Sequence, residues 1–484
     1  MKNGVVILIM SRIIQIAISL LSLRLITSFF NNDELGTYYL FISLFMFASL
    51  SVLNPYGQYI NRHTYKWRDD GILFLWVGRY IKFTFLFSFS FSIILTIYYL
   101  FSHQNSPLFL GVVCGVYIIT ITTNQFLLHT LNILNNRVMF SALTILTALV
   151  GLIAAYLLLK GNLLNIGKPY LWLFGIIIAN FISLIFALFW LKKNERSSTR
   201  KNFDFDYKEI MFFCIPIAIS TFFMWFINSG YRFGVETLVG LSYLGIIAVA
   251  FTVSGQIMTV VESLITQILQ PLLFQKIDSQ KIVDRIKHLN NYINETIAIY
   301  LFSAIFCSFF MHYIFLFLID KKFIQYASIG IIAVWFDFFR ISTNSLSMVF
   351  FSEKNMKKMI TPYACGSFFL ILSFVVLGVL TKNNETTSTL FFSIPFLIAA
   401  PSIVTFFIAF ISIRKYGDIG INLMFLLKRV LFITPILAVI IFLPKSITLD
   451  LKTITIIISV SLGACSLFFL SLVKIKYPKR ENES

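Results

Sequence analysis

The sequence predicts an all-α polytopic membrane protein with about 14 transmembrane helices. The 484 residues are 58% hydrophobic and 12% charged, whereas a soluble globular chain carries roughly 25% charged residues. Mean hydropathy is +0.85. Apolar runs of about 18 residues or more recur from end to end, which is the pattern of membrane helices. The polar stretches between these runs are too short to form a soluble domain.

The apolar runs give the positions of the predicted helices, and the stretch 414–426 is a candidate interfacial helix. In chain order the predicted helices span 4–30, 37–60, 79–101, 108–135, 138–159, 169–191, 210–236, 240–273, 293–319, 324–351, 360–380, 389–413, 427–444 and 453–473.

The distribution of positive charge predicts which ends of these helices face the cytoplasm. Of the 39 Lys and Arg residues, about 28 fall on one side of the alternating helices, about seven on the other and four inside helices. Cytoplasmic loops carry the excess of Lys and Arg, so both termini and the loops 61–78, 192–209 and 275–292 are expected in the cytoplasm. The net charge of +18 is therefore attributed to membrane topology and not to nucleic-acid binding.

Two pairs of short motifs indicate an internal repeat. Arg24 precedes Gly36 by 12 residues and Arg232 precedes Gly245 by 13, and Asn124 and Asn344 occupy similar Thr/Ser-rich stretches. Chance similarity in a biased alphabet is the alternative. Six helices per half predicts parallel repeats about an axis along the membrane normal. The expected domains are two six-helix lobes at 1–191 and 210–413, a cytoplasmic linker at 192–209, and two extra helices with a basic tail at 414–484.

A few charged residues lie well inside the predicted helices. A charge at the centre of a membrane helix costs about 2.5–3.5 kcal/mol on insertion scales, and arginine cannot lose its proton to avoid that cost. Each arginine therefore needs a water-filled cavity, a partner or the membrane interface. The predicted cavity cations are Arg12, Arg24, Arg232 and Arg340, and the candidates for ion coupling or a gate are Glu262 and Asp337.

Three of these arginines have a second interpretation besides that of a cavity cation. Arg12 and Arg24 are about 120° apart around that helix, and the sector between them is polar, which suits a cavity. Arg24 and Arg232 are also placed to extend towards the outer headgroups. Arg12 is also placed to bond with the seventh or eighth helix.

The remaining candidates also have two interpretations each. Asp337 and Arg340 are three residues apart, so they can form a structural ion pair, an ion site or a gate. Glu262 has no evident partner nearby in the sequence, so it is either a titrating cavity residue or a cap of a helix end. His129 is interpreted as a bundle histidine or a proton relay.

Soluble-enzyme chemistry is not expected. The sequence contains no phosphate-binding G-x-x-x-x-G-K-[ST] motif, no H-E-x-x-H and no paired carboxylates in an outer loop. The five cysteines are scattered through apolar segments and are expected to be packing residues. No cofactor or metal is predicted, and the chain is not expected to be an enzyme.

Three short motifs stand out along the chain: Arg24 followed by Glu34-Leu35-Gly36-Thr37-Tyr38, Tyr231-Arg232-Phe233 with Tyr243-Leu244-Gly245, and Asn135-Asn136-Arg137. They resemble the motifs of bacterial polysaccharide repeat-unit flippases. These O-antigen and capsule transporters belong to the multidrug/oligosaccharidyl-lipid/polysaccharide exporter (MOP) superfamily. Tyr231 stands where many relatives of that family have an aspartate. Family members commonly have 12 helices, and the 14 predicted here are closer to the lipid II flippase branch.

The resemblance implies two six-helix lobes in a V with a central cavity, located in the bacterial inner membrane. The implied substrate is a polyprenyl-pyrophosphate oligosaccharide, and the implied partners are a polysaccharide polymerase and a chain-length regulator. Arginine suits a pyrophosphate because its planar fork binds phosphate oxygens in pairs. Two alternatives remain: a multidrug or cation exporter of the same fold, and a membrane polysaccharide polymerase or ligase.

Overall fold

A computed structural model of the chain describes residues 2–101, 107–161, 166–194, 207–277, 282–353, 356–382, 387–417, 419–431, 437, 439–443 and 451–473. All regular secondary structure in these ranges is helical. The α-helices are α1 Lys2–Phe29, α2 Asn32–Phe47, α3 Asn54–Asp69, α4 Leu73–Phe101, α5 Pro107–Ile133, α6 Arg137–Gly161, α7 Lys168–Lys193, α8 Tyr207–Trp225, α9 Tyr231–Val239, α10 Leu241–Ile277, α11 Ile282–Leu318, α12 Ala327–Ser352, α13 Ile360–Lys382, α14 Thr387–Ile413, α15 Leu423–Leu431 and α16 Leu451–Val473.

Twelve helical spans in the described part of the chain are long and apolar enough to cross a membrane. Two of these spans consist of two α-helices joined by a π-helical segment. Ala48–Leu53 joins α2 to α3, and Phe226–Gly230 joins α8 to α9. The predicted fold class is confirmed. The predicted thirteenth helix lies partly outside the described residues, and the fourteenth corresponds to α16.

Two of the predicted loops are mostly helical, which corrects the sequence-based boundaries. α3 continues to Asp69, so only residues 70–72 separate it from α4. α10 and α11 likewise cover most of 275–292. Hydropathy marks where the apolar run ends, but a helix continues as long as one face stays packed. In α3 that face is formed by Tyr59, Ile60 and Trp67, which are all buried. The predicted loop 192–209 lies largely outside the described residues.

The break between α1 and α2 is shorter than the sequence pattern predicted. α2 begins with a capping box in which the Asn31 side chain accepts a hydrogen bond from the Glu34 amide at 2.8 Å. The Glu34 carboxylate accepts one from the Asn31 amide at 2.8 Å. Two amides that a helix start leaves without partners are thereby satisfied, so α2 begins at Asn32 and not at residue 37.

The chain forms two compact units, Met1–Gly245 and Ile246–Ser484. The core of the first unit is made by apolar side chains of α2 to α8, among them Tyr80, Phe126 and Leu127. In the second unit a cluster on α11 packs against Leu437, Ile440 and residues of α16. The boundaries of the predicted six-helix lobes stay a prediction.

Two glycines of the predicted repeat pack reciprocally inside the first unit. A Cβ atom on Gly36 would lie 2.3 Å from the Leu241 carbonyl oxygen, and one on Gly245 would lie 2.1 Å from the Asn32 carbonyl oxygen. Asn32, which Gly245 contacts, lies four residues before Gly36. Leu241, which Gly36 contacts, lies four residues before Gly245. The two contacts are therefore one helical turn apart. The pairs Asn32/Leu241 and Gly36/Gly245 are both 209 residues apart. This crossing of α2 and α10 keeps the offset expected for the internal repeat, which stays a prediction.

Candidate substrate site

The first helix presents two guanidinium groups on its exposed side. Arg12 and Arg24 are both exposed, and Arg12 Nη1 donates to Gln15 Oε1 at 3.2 Å. The same helix also carries buried residues, including Leu23 and Ile26, and it packs on α6. The helix contains no acidic residue. Its exposed side is therefore positively charged.

Arg232 is held between α9 and α2 within the first unit. Its Nη1 donates to the Tyr39 carbonyl oxygen at 3.2 Å and to Ser43 Oγ at 3.1 Å. The guanidinium carbon lies 5.2 Å from the centroid of the Tyr39 ring and 5.7 Å from that of Tyr231, both within the range of a cation–π contact. Nε of Arg232 is enclosed and has no acceptor among the described residues.

A second contact strengthens this junction. Trp225 Nε1 donates to the Ser43 carbonyl oxygen at 2.9 Å, so Ser43 binds both Trp225 and Arg232. Trp225 ends α8, and the π-helical segment Phe226–Gly230 lies between the two donors. In this conformation Arg232 therefore connects two helices. Its predicted role as a substrate-binding cation stays a prediction.

The second unit contains an acid–arginine cluster, which we define as Glu262, Asp337, Arg340 and Asn344. Arg340 Nε donates to Asp337 Oδ1 at 2.8 Å, so the pair expected from the spacing of three residues is present. Arg340 Nη1 lies 3.8 Å from Glu262 Oε2. The partner of Glu262 is thus on α12, whereas the sequence offered none close to Glu262 on its own helix.

Asn344 extends the cluster to a third helix. Its Nδ2 donates to Glu262 Oε1 at 2.7 Å, and its Oδ1 accepts from the Tyr363 hydroxyl at 3.1 Å. The side chains of Asp337 and Arg340 are 5% and 21% exposed. Because two carboxylates surround one guanidinium, the cluster carries a formal charge of −1 when all three groups are ionised. Such a site can take up a proton or a monovalent cation.

Several other sequence candidates are located by the structure. Asn124, the repeat counterpart of Asn344, has a different partner: its Nδ2 donates to Asn180 Oδ1 on α7 at 3.0 Å. His129 is exposed on α5, and its two interpretations, a bundle histidine and a proton relay, stay predictions. All five cysteines are free, and within the described residues no group of three His, Cys, Asp or Glu side chains is placed to hold a metal ion.

No protein-family model matches this sequence, and no curated protein matches it. The structure is similar to that of the lipid II flippase MurJ in an inward closed conformation, with a TM-score of 0.62 and 13% identity over 98% of this chain and 100% of that chain. The chain has the fold of MOP-superfamily transporters. Two structures of a multidrug resistance MATE family transporter support this, one inward-facing and one outward-facing, each with a TM-score of 0.54.

The similar structures differ in how much of this chain they cover. The inward-facing MATE transporter is 12% identical and covers 83% of this chain and 95% of its own, and the outward-facing one is 14% identical and covers 86% and 95%. The MurJ match extends over nearly the whole chain. At these identities the comparison establishes the fold, a multi-pass helical bundle, and leaves the function and the substrate to be argued from the residues.

Proposed function

We propose that the chain is a flippase that moves polyprenyl-pyrophosphate-linked oligosaccharide repeat units from the cytoplasmic to the outer leaflet, by alternating access. The observation that carries this proposal is the pair of exposed arginines on α1, a membrane helix with no acidic residue. Two guanidinium groups in a membrane span are costly unless they face water, a partner or the membrane interface, and the anionic head of a substrate is a partner of this kind. A pyrophosphate supplies the oxygens that arginine binds in pairs.

The similarity to MurJ supports a lipid substrate. That protein is named as a flippase of lipid II, and its fold match extends over 98% of this chain, compared with 83% and 86% for the two MATE structures. A lipid-linked substrate places its tail in the bilayer while its charged head contacts the arginines. Arg232 and Arg340 are proposed to assist in conformations in which their present contacts are exchanged.

We place the protein in a bacterial inner membrane, with both termini in the cytoplasm. The 28-to-7 distribution of Lys and Arg supports that orientation. Surface polysaccharide biosynthesis, including that of O-antigen and lipopolysaccharide, requires a polymerase and a chain-length regulator to act on the flipped unit. These proteins are the proposed partners.

Deletion of the gene tests the proposal. The expected result is the accumulation of a lipid-linked glycan on the cytoplasmic leaflet and the loss of surface polysaccharide, both reversed by the wild-type chain. A deletion strain with unchanged surface polysaccharide and no accumulated lipid-linked glycan contradicts it.

An exporter of cationic compounds is the second candidate. The acid–arginine cluster favours it, because this cluster has one more acid than base and a cation compensates that charge. Under that function a deletion strain becomes more sensitive to cationic drugs and keeps its surface polysaccharide. A polymerase or ligase is less well supported, because the connections between α-helices on the predicted outer side are short up to α14, the longest being 319–326.

A further inference from the structure

α3 and α5 together present an exposed polar surface that the arginines do not account for. On α3 the exposed residues Gln58, Arg62 and Tyr65 follow one another at intervals of four and three. On α5 Gln125 and His129 are exposed and Asn132 is half-buried, with the same intervals. Such spacing places each set of three on one side of its helix. We call these six residues the polar face.

The two helices run side by side in the same direction. The residue numbers of the contacting pairs increase together along α3 and α5. A Cβ atom on Gly57 would lie 3.4 Å from the Phe126 ring. Asn61 and Thr130 are hydrogen-bonded at 3.1 Å, and the Tyr65 hydroxyl donates to the Ile133 carbonyl oxygen.

The two sets of three residues point to the same side of this helix pair. Each residue of the polar face on α3 comes at or just after a contact residue, as Arg62 follows Asn61. Each one on α5 comes just before a contact residue, as His129 precedes Thr130. One residue is a rotation of about 100°. On α3 this rotation leads away from the contact line in one sense, and on α5 it leads away in the opposite sense. Because the two helices are parallel and face each other, both rotations end on the same side of the pair. The six side chains therefore share one surface of the first unit.

This surface is expected to face water and not lipid. Gln125 and His129 lie about 12 and 6 Å before the end of α5, from a rise of about 1.5 Å per residue. Both belong to a candidate membrane span. Gln58, Gln125 and His129 have no hydrogen-bond partner in the described part of the chain. Polar side chains without partners are costly in hydrocarbon. An aqueous space therefore adjoins the polar face.

The chemistry of the polar face fits a polyhydroxylated ligand. Amide and imidazole groups donate and accept hydrogen bonds without charge, which suits sugar hydroxyls. Tyr65 is 49% exposed, and the position of its ring is fixed because the hydroxyl also accepts a hydrogen bond from Asn135 Nδ2 at 2.8 Å. A fixed aromatic ring offers an apolar surface to the C–H groups of a pyranose.

The charges on this surface argue against other ligands. Arg62 is the one Arg or Lys among the six residues, and its guanidinium carbon already lies 5.6 Å from the centroid of the Phe213 ring. None of the six residues is an Asp or Glu that could bind a cationic drug. For a pyrophosphate the polar face offers one arginine, whereas α1 offers two. Gln58, Gln125 and His129 are the neutral donors and acceptors of this surface that have no hydrogen-bond partner in the described part of the chain.

We infer that the polar face binds the sugar residues of the transported lipid, while the α1 arginines bind its pyrophosphate. This inference rests on the proposed function and adds a second subsite to it. Recognition of the sugar then occurs within the first unit, on α3 and α5. Loss of neutral hydrogen bonds there reduces the affinity for the oligosaccharide and not for the pyrophosphate.

The test is a binding measurement on the full chain in lipid nanodiscs. The two probes are undecaprenyl pyrophosphate and the lipid-linked oligosaccharide fraction extracted from cells that lack the gene. The variant is the double substitution Gln125→Leu/His129→Leu. We expect it to weaken binding of the oligosaccharide lipid about tenfold, as the loss of two hydrogen bonds predicts. Binding of the sugar-free lipid should change less than twofold.

A matched control lies on the same helix. Val112 and Val116 are exposed on α5, and Val116 is nine residues before Gln125, so it lies about 180° around the helix from it. Val112→Leu/Val116→Leu should leave both affinities unchanged. Equal weakening of both lipids by the Gln125/His129 variant, or no weakening of either, overturns the sugar subsite. If the wild-type chain binds neither lipid, the proposed function itself fails.

Discussion

At the scale of single residues, the membrane-buried charges of this chain have different environments. Arg12 and Arg24 are exposed on α1, Arg232 is bonded to α2, and Arg340 is paired with acids. A guanidinium group on an exposed helix side is accessible to an incoming anion without exchange of helix–helix contacts. We therefore assign most of the pyrophosphate binding to α1.

Replacing Arg24 with alanine should reduce export of surface polysaccharide at least tenfold, because a charge-assisted contact to phosphate is lost. Arg24→Lys should retain part of the activity, since lysine keeps the charge and loses the planar fork. The readout is the amount of surface polysaccharide per amount of protein in the membrane. Leu21→Ala, at an exposed apolar position of the same helix, is the control. Equal export by Arg24→Ala and the control would contradict the assignment.

Removing one acid from the acid–arginine cluster should destabilise the second unit. Asp337→Asn leaves Arg340 without its closest carboxylate, and we expect a loss of about 2 kcal/mol, below the 3–5 kcal/mol typical of fully buried pairs because the Arg340 side chain is 21% exposed. Thermal unfolding in detergent measures the effect. The double variant Asp337→Asn/Arg340→Gln removes both charges of the pair and should recover part of the lost stability. A double variant less stable than the single one argues against a compensating pair.

At the scale of elements, the α2–α10 crossing depends on two glycines. Gly36→Ala and Gly245→Ala each place a methyl group within 2.3 Å of a backbone carbonyl oxygen, and backbone cannot move aside as a flexible side chain does. We expect a loss of about 1–3 kcal/mol or more for each, again measured by thermal unfolding.

Gly78 supplies the matched control for this crossing. It lies inside α4, and a Cβ atom there would have no neighbour within 4 Å. Gly78→Ala should be neutral or stabilise the chain by up to about 1 kcal/mol, because alanine is the better helix former. If all three alanine variants unfold at the same temperature, the crossing is not tightly packed.

The elements also show what the sequence could and could not predict. The spacing of three residues identified the Asp337–Arg340 pair, because that pair lies on one helix face. Glu262 and Asn344 are 82 residues apart, and their contact depends on which faces of α10 and α12 meet. Hydropathy located α1 to within a few residues, yet it missed the second half of α3. That half has one polar exposed side and one packed apolar side, so its average hydropathy is low although it is helical.

At the scale of the whole molecule, the repeat makes a prediction about internal similarity. The first helix should superimpose on the seventh predicted helix, here α8 with α9, and α5 should superimpose on α12. An experimental structure of the full chain, divided into halves and superimposed in every register of helices, checks this. A better superposition in any other register refutes the repeat, even though the glycine crossing would remain.

The central claim is the movement of a lipid-linked oligosaccharide across a membrane by this chain alone, and reconstitution tests it most directly. The purified full chain is placed in liposomes that contain the lipid-linked oligosaccharide fraction from cells lacking the gene, and an impermeant glycosidase is added outside. We expect wild-type protein to expose nearly all of the glycan to the enzyme, and we expect Arg24→Ala to slow this exposure at least tenfold. Wild-type liposomes in which the inner-leaflet glycan stays as protected as in protein-free liposomes would contradict it.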